Sequence, residues 1–179
     1  LLAVAKLQGK GPLYTFASGY ISVIRGTPVV VQLTIIYFII LGQSGLPEVL
    51  VAAVAFGINS GAYVAEIIRG GIQAVDRGQM EAGRSLGLNY RQTMTNIIIP
   101  QAVKNVLPAL GNEFVVLLKE TSVAGYIGIM DLNKAGSKIS SITYNGMVAP
   151  FIVAYIYFVL TTALASMMNR FERRMRKSD

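Results

Sequence analysis

Cysteine and histidine are both missing from the 179 residues of this chain. Their absence excludes disulfides, Cys/His zinc sites and the histidine-based forms of acid–base and nucleophilic catalysis. No GxxxxGK[ST] run occurs either, so the chain carries no phosphate-binding loop of its own. Charge is scarce: only 14% of residues are Asp, Glu, Lys or Arg, whereas soluble domains carry about 25%. What charge there is leans positive, with a net value of +7.

Apolar residues fill the space, at 53% of the chain and a mean hydropathy of +0.53. They gather in blocks, Pro28–Gly42, Leu46–Ala65, Ile97–Leu118 and Met147–Met168. A helix needs about 20 residues to cross the hydrocarbon core of a bilayer. All but the first block reach that length, and Gly19–Ile24 is placed to extend the first. The runs are continuous and do not alternate with period two, which argues against a barrel or sandwich. The chain reads as an all-α, polytopic membrane protein, with residues 1–179 forming a single transmembrane domain. Its opening LLAVAKLQGK looks like the end of an apolar segment, so a further span is expected before Leu1. It does not read as a signal peptide, because its basic residues follow the apolar ones.

Basic residues orient the spans. Lys6, Lys10, Arg25, Arg69, Arg77, Arg84, Arg91, Lys104, Arg170, Arg173, Arg174, Arg176 and Lys177 fall on one side, against Lys119, Lys134 and Lys138 on the other. The first side, with the carboxyl terminus, is expected to be cytoplasmic, in contact with anionic lipid. Nucleic acid is not an expected partner, because no stacking aromatics accompany these charges. The opposite loop, from about Gly125 to Gly146, is long enough for a short surface helix.

The loop QMEAGRSLGLNYRQ (79–92) is longer than a simple connector needs. Gln79–Leu86 has helix-forming composition and Gly87 suits a C-cap. Asn89 suits an N-cap for a second helix, Tyr90–Ile99, and Pro100 is expected to break or kink the chain before the next span. The pattern predicts a stiff, projecting knob.

These residues carry a resemblance. Glu81-Ala82-Gly83, three residues, Gly87, nine residues and Ile97-x-Ile99-Pro100 resemble the EAA-x3-G-x9-I-x-LP signature of ABC importer permeases. Gly83 and Ile99 stand where that signature usually has Ala and Leu, and Gly83 is expected to loosen the helix by about 1 kcal/mol. RGTPVVVQL (25–33), GAYVAEIIRGGI (61–72), and GNEF (111–114) with KETS (119–122) resemble elements of the polar amino acid permease subfamily. The resemblance implies a type I ABC importer (MetI-like) helical bundle of about five spans, the first largely missing here. It implies a coupling helix at about 78–88, in which Glu81, Ala82, Gly83, Arg84, Ser85 and Gly87 engage an ATPase. The implied partners are two ABC ATPase subunits, a second permease chain as a homodimer, an extracytoplasmic amino-acid-binding protein and the amino acid substrate. The chain itself would hold no cofactor or metal and catalyse no bond chemistry. ATP and Mg belong to the ATPase.

Polar residues inside spans face the bundle interior or a watery cavity. Asn59, Tyr63 and Glu66 share one helical face, as do Glu113 and Glu120. Two such stripes are expected to enclose a substrate cavity near mid-membrane. Glu66 reads as an ion-pair partner of Arg69, and Glu113 as either a gating or a ligand residue. Glu120 reads as the partner of a basic side chain on the substrate or of Lys119. Thr121 and Ser122 are candidate hydroxyl contacts. The substrate read from these carboxylates is a basic amino acid. The alternatives are an ion-coupled secondary transporter and an intramembrane hydrolase using Lys119 and Ser122.

Overall fold

A computed structural model describes residues 1–176; Lys177, counted above with the basic tail, lies outside them. Helices account for all of the regular structure among the described residues. In chain order, α1 is Leu2–Leu7, α2 Pro12–Gly26 and α3 Val29–Ile35, the last running into a π-helical turn at Ile36–Ile40. The long α4 spans Glu48–Gln73 and is followed by α5, Arg77–Ser85. Then α6, Tyr90–Thr93, leads through a second π turn, Met94–Ile98, into α7, Ile99–Glu120. A 3-10 segment, Thr121–Ile127, precedes α8, Leu132–Thr143, and α9, Val148–Arg176, completes the bundle.

Among the described residues two helices are long and apolar enough to cross a membrane, Glu48–Gln73 and Val148–Arg174. Gly19–Ile24 does not extend the first apolar block as a straight span, because α2 and the α3 segment are bent by 109° at a break around Thr27. Thr27 and Pro28 are both extended there, and Pro28 serves as the N-cap of α3 rather than its first helical residue. The Thr27 hydroxyl turns back onto the Val23 carbonyl at 2.8 Å instead of capping α3. Proline lacks the N–H that would continue α2, so the break begins where its ring forbids the next helical bond.

The third block forms a helix of 22 residues, about 33 Å at 1.5 Å per residue. It also carries Lys104, Glu113, Lys119 and Glu120. Such a helix is stable in a bilayer when neighbours screen its polar face, and α7 packs between α4 and α9. Pro100 does not break the chain: it sits in the first turn of α7, where its missing N–H costs little. The π turn before it lets α6 and α7 run on without a loop.

α4 lies at the centre, against α1, α2, α3, α7 and the 3-10 segment. Its first half packs Val51, Ala52, Ala55 and Phe56 on Leu33 and Ile36 of the α3 segment and on Ala124 and Ile127. Its second half packs Ala62 and Ala65 on Ala3 and Ile21. Close helix approach therefore comes from these alanines and from Gly71, where a Cβ would strike the Val106 side chain. It does not come from Gly57, which has nothing within 4 Å. Almost none of the apolar stretch of α9 is covered by this chain, and Tyr155 on it is exposed.

Candidate functional site

Local signals build the knob around α5. Asp76 caps its start, its Oδ1 accepting the Gly78 N–H at 2.6 Å, so the helix begins two residues before Gln79. At its end the Leu88 N–H reaches the Gly83 carbonyl at 3.1 Å and the Gly87 N–H reaches the Arg84 carbonyl at 3.0 Å. That pair of bonds is a Schellman stop. It requires the left-handed φ of +83° at Gly87. Asn89 and Gln92 then close a capping box, each side chain accepting from the other's backbone N–H at 2.9 Å.

Gly87→Ala should therefore cost about 1–2 kcal/mol, the penalty for a Cβ in left-handed backbone. The check is a lowered Tm together with faster tryptic cleavage at Arg84 and Arg91; an unchanged cleavage rate would mean that the turn is dispensable.

Gly83 is buried and faces Thr93, which is 0% exposed. A Cβ on Gly83 would lie 2.5 Å from the Thr93 methyl. The glycine thus lets α5 seat on α6 and does not loosen the knob. It faces Thr93 and Ile97 and not the exposed side of α5. Beneath it Val75, Ile98 and Ala102 form a small core with Met80, Met94 and Ile97. Glu81, Ala82, Arg84 and Ser85 remain exposed, and beside them Leu86 keeps 80% of its surface. A bare leucine on a polar helix was a readable signal that motif matching passed over.

The polar residues of α4 and α7 do not form two stripes facing each other. Asn59 is 2% exposed and donates to the Gln32 side-chain oxygen at 2.9 Å. Its own oxygen is buried without a hydrogen-bond partner among the described residues. Gln32 in turn donates to the carbonyls of Ile24 at 2.7 Å and Thr27 at 3.0 Å, meeting acceptors freed by the α2–α3 break. Tyr63 lies under the Arg25 guanidinium, 5.1 Å from its ring centre. Glu66 pairs with Lys6 at 2.6 Å and Arg69 at 2.8 Å, with Arg25 at 3.6 Å. This face of α4 therefore meets α1, α2 and α3. Lys6 and Arg25 are packed against it and are not loop charges.

Across α7, Ser60 reaches Glu113 at 3.4 Å. Glu120 has no ion-pair or hydrogen-bond partner among the described residues, so the Lys119–Glu120 pair does not form. The Thr121 hydroxyl is spent on the Leu118 carbonyl at 2.7 Å. Ser122 lines a hollow of about 200 Å³ with Tyr126, Asn133, Lys134 and Ser137, one that neither Glu113 nor Glu120 lines. Gln32 and Ser60 were missed in the sequence. The lone amide within VVVQLTII was the readable clue to the first.

Residues 2–177 match the family described as the binding-protein-dependent transport system inner membrane component. The chain is 42% identical over 178 residues to a putative glutamine transport system permease of Rickettsia felis, covering 98% of this chain and 81% of that protein. It is 38% identical over 187 residues to the arginine transport system permease of Bacillus subtilis, covering 100% and 83%. A solved crystal structure of an amino acid ABC transporter with histidines is similar at TM-score 0.88 and 50% identity, over 97% of this chain and 81% of that one. An inward-facing methionine ABC transporter is similar at TM-score 0.76 and 21% identity, over 92% and 76%, which bears on the fold alone. With a stiff, exposed knob joining α4 to α7, and this match along nearly its whole length, the chain belongs to the inner membrane components of binding-protein-dependent transport systems.

Proposed function

We propose that this chain is the membrane-spanning permease subunit of an ATP-driven importer of amino acids, with a preference for basic ones. The amino acid class is supported by the glutamine and arginine permeases and by the solved amino acid transporter that the chain resembles. The basic preference is supported by one observation, Glu120, a carboxylate on a bundle helix with no ion-pair or hydrogen-bond partner among the described residues. Tyr63, Glu113 and Ser122 complete the proposed pathway lining. The buried Asn59 acts there by holding the broken helix, and Thr121 by closing α7. Ion-coupled secondary transport finds no support in the comparisons, and nothing near Lys119 and Ser122 resembles a hydrolytic site.

The working unit in this reading has two copies of the permease, two ATPase subunits that bind the ATP and Mg, and an extracytoplasmic binding protein. Residues 1–179 act in it as one transmembrane domain. The exposed face of α5, formed by Glu81, Ala82, Arg84 and Ser85, docks on the ATPase, while Gly83 and Gly87 hold that face in shape. A rigid knob transmits displacement, so closure of the ATPase pair moves α4 and α7 together and opens the path outward. The packing and the basic residues support the orientation in this reading. Gly111 of α7 lies against Met168 of α9, and in this reading α9 runs back toward the side of the knob, with Arg170, Arg173 and Arg174 exposed near its end. Basic flanks mark the cytoplasmic face.

Glu120→Gln tests the substrate preference in proteoliposomes holding the assembled transporter. Uptake of arginine should fall about tenfold, corresponding to roughly 1.4 kcal/mol from a lost charge-assisted contact, with glutamine uptake unchanged. An arginine preference that survives the substitution removes the argument for a basic substrate.

A further inference from the structure

Arg25 is an unspent guanidinium. It is the penultimate residue of α2, immediately before the 109° break. Its nearest carboxylate, Glu66, is already taken: Oε1 accepts from Lys6 at 2.6 Å and from Arg69 Nε at 3.1 Å, and Oε2 accepts from Arg69 Nη2 at 2.8 Å. Arg25 Nη1 stands off at 3.6 Å from Oε2, beyond hydrogen-bond distance. Among the described residues Arg25 donates no hydrogen bond at all, although a guanidinium has five N–H donors. The Tyr63 ring nevertheless holds the group in place, and 43% of the side chain stays exposed.

The charge count around it is lopsided. Lys6, Arg25 and Arg69 surround a single carboxylate. An arginine serving only as an anchor among membrane helices would be expected to use its donors on backbone carbonyls or on an acid. On the neighbouring helix the opposite group is underused. Among the described residues Glu113 has only the long 3.4 Å hydrogen-bond contact with Ser60, and it lies within electrostatic reach of Arg25. A cation that donates no hydrogen bond among the described residues and a loosely held anion thus flank Ser60 and Tyr63 of α4. The ligand that satisfies both at once is a zwitterion.

We propose that Arg25 receives the carboxylate, and Glu113 the ammonium, of the amino acid that this permease carries. The proposal rests on the amino acid reading above and adds to it the groups that hold the part common to all such substrates. Guanidinium and carboxylate meet in a two-bond fork, which suits a headgroup that must be held in one orientation. Glu120 lies two turns further along α7, about 10 Å at 1.5 Å per residue. That separation leaves it for the far end of the substrate side chain. The site therefore divides into a constant half at the helix break and a variable half toward the end of α7.

The test uses the permease–ATPase complex purified in detergent without its binding protein, titrated with arginine, histidine and glutamine, with their carboxamides, and with their N-acetyl derivatives. The unmutated complex should bind at least one free amino acid tenfold or more tightly than its carboxamide, and also than its N-acetyl derivative. Arg25→Gln should bind the free acid only as weakly as the unmutated complex binds the amide, and Arg25→Lys should keep part of the discrimination. Equal binding of acid and amide by the unmutated complex, or full discrimination by Arg25→Gln, overturns the proposal while leaving the amino acid reading intact. A complex that binds none of the panel overturns both. If Arg25→Gln fails to assemble, the acid-against-amide comparison on the unmutated complex decides alone.

Discussion

Gly83→Val should abolish ATP-driven uptake while leaving the chain inserted in the membrane. A Cβ at this position would lie 2.5 Å from the Thr93 Cγ2, 2.9 Å from its hydroxyl and 3.2 Å from Ile97 Cδ1. Thr93 cannot swing aside cheaply, because its hydroxyl is bonded to the Asn89 carbonyl at 3.0 Å and its side chain is fully enclosed. Alanine at 83 sets two effects against each other: about 1 kcal/mol gained in helix propensity and a mild overpacking loss. Valine adds two γ carbons and forfeits most of the propensity gain, so overpacking of about 1–3 kcal/mol wins. The relief is a displacement of α5 away from α6, which carries Glu81, Ala82, Arg84 and Ser85 out of register with the ATPase proposed to grip them. Co-purification of the ATPase should be lost along with uptake. Thr93→Ser removes the nearest methyl, so combining it with Gly83→Val should recover part of both, a coupling that independent sites would not show. Full uptake by the single valine variant would mean that the seat on Thr93 does not set the position of the docking face.

The knob was the most legible part of the sequence because its determinants are local. Gly87, Asn89 and Gln92 act within a few residues of themselves, and the turn chemistry that predicts them is the chemistry that forms them. Bundle helices could likewise be read from the apolar blocks. Three features escaped for a common reason, which is that long-range contacts decide them. Pro28 announced a helix boundary, yet the 109° bend depends on Gln32 reaching back to Ile24 and Thr27 and forward to Asn59 of another helix. The π turns at Ile36–Ile40 and Met94–Ile98 each shift the helical register, with no change in hydrophobicity to mark them. Finally, Asn59, Tyr63 and Glu66 do share a face, but helical periodicity cannot say which neighbour that face meets. This face belongs to α1, α2 and α3 and not to α7. Gly83 shows the same limit on a smaller scale. Propensity alone made it a weak point in α5, whereas the residue packed over it makes it the point of attachment.

Glu66→Gln should destabilise the amino-terminal half of the bundle by about 3 kcal/mol. Removing one partner of a buried ion pair costs about 3–5 kcal/mol, because the remaining charge is left without compensation. The lower end applies here, since the Lys6 and Arg69 side chains keep 20% and 26% of their surface exposed. The loss is unusual in leaving cations from three helical segments, α1, α2 and α4, facing one another. The neutral amide preserves shape and accepts hydrogen bonds, so packing loss is not the cause. Thermal unfolding of the purified protein should show the drop in Tm, and hydrogen exchange should show early opening of Leu2–Leu7, whose Lys6 loses its carboxylate. Lys6→Met alone should cost little, because Glu66 keeps Arg69. In the Glu66→Gln background, however, Lys6→Met should be stabilising, since it removes one of the mutually repelling charges. That reversal of sign is specific to electrostatic compensation. A loss under about 1 kcal/mol, the range of exposed pairs, or a Lys6→Met effect of the same sign in both backgrounds, would show that the carboxylate does not hold these segments together.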